Sequence, residues 1–72
     1  MTPHDISVEW IEREIRKIPS SIMPINVAEC ACTAAYLSCE LSVITTGERD
    51  ELVKRIRAAE LTRYLELLEK AA

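Results

Sequence analysis

Seventy-two residues make one small domain, near the size at which folding buries only about 60% of the surface an unfolded chain exposes. Apolar residues are 49% of the chain, but with no Phe, one Trp and two Tyr the core has to be aliphatic; a single Gly leaves too few tight-turn residues for β-hairpins, so the chain reads as all-α. The formal net charge of −3, with 12 acidic and 9 basic side chains mixed along the chain, excludes the electrostatic footprint of a nucleic-acid or anionic-membrane binder.

The first helix is predicted to start at Ser7, which caps it, with Glu9 near the positive dipole end and Ile6 stapled onto Ile11. Thr2 followed by Pro3 is a second available start. Val8, Ile11, Ile15 and Ile18 form its apolar stripe, and Glu9–Arg13 and Glu12–Arg16 are spaced as ion pairs one turn apart. Pro19 ends the helix, because the residue before a proline is pushed out of the helical region. Trp10 stands one position off the stripe. It reads either as a stripe-edge residue that widens the core or as an aromatic contact for a partner.

Residues 19–25 form a stiff, unusually apolar joint. Ile22, Met23 and Ile25 are expected to plug the open end of a helical pair, with partner binding through Ile22 and Met23 as the alternative. The second helix is predicted to open on Asn26, with Glu29 completing a capping box, and to run to about Ile44 or Thr45. It carries two stripes at heptad spacing. Ala28, Ala31, Ala35, Ser38 and Ser42 are all small and would let another backbone approach closely, which points to self-association or docking; the stripe is assigned to a dimer interface, with pairing to the chain's own helices as the alternative. Cys30, Ala34, Leu37, Leu41 and Ile44 form the larger stripe, and Glu29, Thr33, Tyr36 and Glu40 face water.

Thr46 is the expected cap of the third helix, with Glu48, Asp50 and Glu51 crowding its first turn and Asp50–Lys54, Glu51–Arg55 and Glu66–Lys70 spaced as pairs. The short connection lays helices two and three side by side, antiparallel. The third helix changes its apolar face midway. Leu52, Val53, Ile56 and Ala59 point one way. Ala58, Leu61, Leu65, Leu68 and Ala72 then form a second seam, and Arg63 stands where the first would have continued. One seam serves a closed monomer; the second asks for a homodimer.

Chemistry is thinly represented. Cys30, Cys32 and Cys39 all fall in one helix, the first two on nearly opposite sides, so they read as reduced thiols packed as small hydrophobes in a cytoplasmic protein. No leader of a secreted protein opens the sequence, and Glu29 and Glu40 interrupt the longest apolar run, which argues against a membrane span. Zinc would need ligands on turns, and the only His, His4, reads as a solvated residue near a free end, so no metal or cofactor is expected. One Gly rules out a phosphate-binding loop, and no nucleophile–base pair is in view. An enzyme is not indicated.

Residues 39–58 can be laid on a helix-turn-helix frame, with Gly47 at the turn and Val53 and Ile56 inward. Against it, Val43 fills a crowded position, the preceding helix is long, and the reading positions Glu48, Arg49, Asp50 and Glu51 repel phosphate. The sequence therefore predicts a three-helix homodimer that binds another protein as an adaptor, regulator or inhibitor, with a DNA-binding regulator as the alternative. In type, it resembles short acidic accessory proteins of phages and plasmids that act on a host protein.

Overall fold

Thr2 fixes where the first helix begins. Its hydroxyl accepts the Asp5 backbone N–H at 3.1 Å, and an Asp5 carboxylate oxygen accepts the Thr2 N–H at 3.3 Å, a reciprocal capping box. Pro3 follows in the first turn, where a missing N–H does no harm. In the computed structural model, which describes residues 1–71, helix α1 therefore spans Pro3–Lys17. Of the two starts available in the sequence it uses the earlier one, so Ser7 lies inside the helix instead of capping it. Ile6 is exposed and Ile11 fully buried, so the expected staple between them is absent.

Pro19 breaks α1 as expected, and the chain tightens into a 3₁₀ turn over Ile18–Ser20. Helix α2 spans Pro24–Glu40, beginning two residues before the expected Asn26 cap because Pro24 is already preset for a first turn. Ser21 supports this entry by accepting the Met23 N–H on its hydroxyl at 2.9 Å. The far end of α2 is also shorter than predicted. Ser42 takes φ 59°, the Val43 N–H donates to the Ser38 carbonyl at 2.9 Å, and the Ser42 N–H donates to Cys39 at 2.9 Å. This Schellman motif ends the helix at Glu40 and turns Ile44 back into the core. Thr45, one residue before the expected cap, then exchanges hydrogen bonds with Glu48 at 3.1 and 2.9 Å, and helix α3 runs over Thr46–Ala71.

Cross-helix pairs give the topology. Arg49 stacks over Tyr36, Arg57 pairs with Glu29, and Leu61 shares a hollow with Ile25, so positions on α2 recede as α3 advances. These two helices are antiparallel. His4 meets Glu48, Glu12 meets Arg55, and the Ser21 carbonyl meets Arg63, so α1 and α3 advance together and are parallel. Trp10 lies beside Ala34 and Glu14 beside Cys30, which makes α1 and α2 antiparallel. The result is an up-down-up three-helix bundle of 44 × 20 × 14 Å. At 1.5 Å per residue α3 is about 39 Å long and α2 about 26 Å, so the last turns of α3 run on past the joint.

The core is aliphatic. Ile11, Ile18 and Ile56 are its largest fully enclosed side chains, with Leu52 and Ile44 beside them. Burying each such side chain contributes roughly 1.5–3 kcal/mol. Ala28, Ala31 and Ala35 have no exposed surface at all, because α1 and α3 of the same chain close onto them. Their reading as a face for a second copy is thereby corrected: small side chains do admit a close neighbour, but the neighbours are the chain's own helices. Ser38 is half-buried beside α1, and Ser42 sits in the cap, outside the helix that was to carry it.

The joint also departs from expectation. Pro24 is its buried residue, with Ile18 buried just ahead of it, whereas Ile22, Met23 and Ile25 are exposed and do not plug the end of the bundle. Arg63 closes this end instead, donating from Nε to the Ser21 carbonyl at 2.8 Å with its side chain only 11% exposed. Among the described residues, no helix is long and apolar enough to cross a membrane.

Candidate functional site

With the core closed inside one chain, the remaining large apolar residues collect on two opposite sides of the bundle. The first is the outer face of α3. At about 100° per residue, Leu61, Leu65 and Leu68 stand on the far side of the helix from Leu52, Ile56 and Ala59. Leu61 is 58% and Leu65 51% exposed, and Ala58 is exposed between the proximal turns and this seam. The joint extends the face sideways: Ile25, Leu61 and Tyr64 line one shallow hollow, while Ile22, Met23 and Leu67 line the next. Ile22, at 80% exposed, is the most open large aliphatic side chain of the folded bundle. Ala58, Leu61, Leu65 and Leu68, expected from the sequence at a dimer interface, and Ile22 and Met23, expected to contact a partner, are thus exposed on one side of the bundle; Ala72, the last residue of the expected seam, lies outside the described residues.

The second face is the groove between α1 and α2, on the side away from α3. Ile6 and Trp10 form one wall, Leu37 the other, and Ala34 and Ser38 the floor. It continues past Trp10 into an open hollow of about 490 Å³ reached by Cys30, Thr33, Glu14 and Glu29. Small floor residues make the groove; a larger side chain at Ala34 would fill it. Trp10 is 54% exposed, and the Arg13 guanidinium lies 5.9 Å from its ring centroid. Leu37 and Leu41 belong to this side and are more than half exposed. Their stripe is readable in the sequence, but their exposure is not, because nothing local says which of two apolar stripes faces the core.

Among the described residues, three ion pairs cross between helices, Glu12–Arg55, His4–Glu48 and Glu29–Arg57, and those within a helix fall at separations other than the expected four residues. Glu12 takes a bidentate pair from Arg55, with Nη2 to Oε2 at 2.9 Å, and this hydrogen bond holds its carboxyl below the usual carboxylate range. His4 Nε2 lies 2.6 Å from Glu48 Oε2, tying the start of α1 to the start of α3. Glu48 raises the His4 pKa, chiefly through that hydrogen bond, and the backbone N–H of Thr45 together with His4 lowers that of Glu48. His4 is thus half-exposed and bonded, a correction to its reading as simply solvated.

The cysteines divide by environment. Cys32 is in the core, where burial pushes its thiol pKa up and makes it a poor nucleophile. Cys39 is half-buried within 3.9 Å of an Arg49 nitrogen, and Cys30 is exposed in the groove. Among the described residues, no three His, Cys, Asp or Glu side chains converge as a metal shell would require, and no buried side-chain polar atom lacks a partner. The segment laid on a helix-turn-helix frame folds as an antiparallel hairpin. That differs from the crossing of about 90–120° by which the DNA-binding motif presents its second helix. Glu48 and Arg49, which would read bases, are occupied with His4 and Tyr36.

Comparison with protein-family models, curated proteins and solved structures finds no match to this chain. The two apolar faces are therefore interpreted from their own chemistry.

Proposed function

We propose that this protein is a non-enzymatic, cytoplasmic protein-binding module that pairs with a second copy through the outer face of α3 and engages a target protein through the α1–α2 groove. As an adaptor, regulator or inhibitor it needs no chemistry of its own. One observation carries the reading: a closed core flanked by two uncovered apolar faces on opposite sides. Neither face is covered by α1, α2 or α3. An aromatic residue at the centre of an apolar groove is the kind of group that dominates binding energies at protein interfaces, and Trp10 occupies that place. Three free thiols, one of them enclosed in the core, accord with a reducing compartment.

The test uses variants that separate the faces. Leu37→Glu and Trp10→Ala, both at exposed positions, should leave the fold and the self-association intact and weaken target binding by at least about tenfold, the loss of one good interface contact. Binding would be measured by calorimetry with the target purified after cross-linking capture. Target affinity insensitive to both substitutions would defeat the groove as the binding face. Titration with mixed duplex DNA at low salt addresses the alternative: appreciable, salt-sensitive binding would replace this reading with a DNA-binding regulator.

A further inference from the structure

Resting on the reading of α3 as a self-association face, we propose that two copies pair with their α3 helices antiparallel, each Lys54 lying against Glu69 of the second copy. The apolar patch supplies the area. Leu61, Tyr64, Leu65 and Leu68 with the joint residues Ile22 and Met23 leave on the order of 600–700 Å² uncovered, close to the ~800 Å² per partner of a standard interface. A two-fold dimer presents the same patch twice, so one seam meets itself.

Charge selects the direction. Most charged side chains of this bundle are paired within the chain, yet Lys54 and Glu69, both exposed, make no ion pair among the described residues. Asp50, the expected partner of Lys54, pairs with Arg49 instead. Lys54 and Glu69 flank the leucine seam, one at each end and about 22 Å apart along the helix. A parallel arrangement would set Lys54 against Lys54 and Glu69 against Glu69. The antiparallel one sets each against its opposite, twice by symmetry, with the two-fold axis crossing near Leu61 and Thr62. In that register the small Ala58 faces Leu65 of the second copy, and Leu68 lies along the aliphatic stem of Lys54. Large side chains meet small ones across the seam, as interdigitation requires.

Sedimentation velocity on the full chain at low salt tests this with Lys54→Glu, Glu69→Lys and the double variant. Each single change replaces two attractive contacts by two repulsive ones and should weaken the dimer about tenfold. The double variant restores opposite charges in the antiparallel register and should return to within about twofold of the wild-type dissociation constant. An equimolar mixture of the two single variants should likewise form mixed dimers. A dimeric wild type whose affinity ignores the single changes, or whose double variant fails to recover, overturns the register while leaving self-association standing. A wild type that stays monomeric at millimolar concentration overturns both. All three variants lie at exposed positions, and circular dichroism melting that matches the wild type excludes misfolding as the cause of any loss.

Discussion

Ser42 holds a left-handed backbone conformation, φ 59°, with a Cβ that glycine would lack. The strain persists because the Schellman bonds to Ser38 and Cys39 fix the chain there. Replacing Ser42 by Gly should stabilise the fold by roughly 0.5–1 kcal/mol, the left-handed penalty of about 1–2 kcal/mol less the extra chain entropy a glycine loses on folding, read as a rise in the urea midpoint without a change in slope. A fall in the midpoint would mean that the serine side chain contributes something the cap geometry does not require. His4 offers the second residue-scale prediction. Its folded pKa lies above the ordinary value of 6.5, so its contribution is complete below that pH and fades as pH rises through the raised value. Glu48 lies below its ordinary 4.5, so its contribution is complete above that pH and fades as acid is added past the lowered value. The clasp is therefore strongest between about pH 4.5 and 6.5. The melting-temperature difference between wild type and His4→Ala should be present at pH 5.5 and largely gone at pH 8.5. A difference independent of pH would show that the ring acts by packing alone.

At the scale of elements, caps decide more than propensities. Thr2 with Asp5 and Thr45 with Glu48 are both reciprocal pairs three residues apart, a pattern visible in the sequence, and both mark true helix starts. Asn26 with Glu29 has the same spacing and marks none, because Pro24 and the Ser21 hydrogen bond begin α2 earlier. The end of α2 was hidden for a different reason: leucine, serine and valine signal no stop, and only the left-handed turn at Ser42 creates one. Within α2, alanine is the determinant of helix spacing. Ala35→Leu should cost about 1–3 kcal/mol by overpacking the point where α1 and α3 converge. Because Ala35 is enclosed by its own chain, the loss in a thermal melt should not change with protein concentration. A concentration-dependent loss would return Ala35 to an intermolecular contact.

For the whole molecule, the up-down-up arrangement puts every alanine of the small stripe inside and leaves Leu61, Leu65 and Leu68 of distal α3 outside. Leu65→Glu is the sharpest probe of that division. Leu65 lies beyond the bundle's own core, so the substitution should leave a folded, helical 8.1 kDa chain that no longer self-associates, since a charge at the centre of the seam would be buried on pairing. Light scattering checks the mass and circular dichroism the fold. An intact dimer would remove the distal seam from the interface. Unfolding would place Leu65 in the monomer's core.

By itself the sequence determined the helical class, the three segments, the break at Pro19, the core stripes of α1 and proximal α3, and the second seam on distal α3. Those follow from the spacing of apolar side chains along one helix and from proline's fixed geometry, both local properties. Only the tertiary structure decided which stripe of α2 faces inward, where α2 ends, and that Ile22, Met23 and the leucine seam share one side of the bundle. It also replaced the one-turn pairs expected of Glu12 and Arg55 by Glu12–Arg55, and added His4–Glu48. The reason is physical: two apolar stripes on one helix are equivalent until neighbouring helices choose between them, and close approach favours the stripe built of alanine.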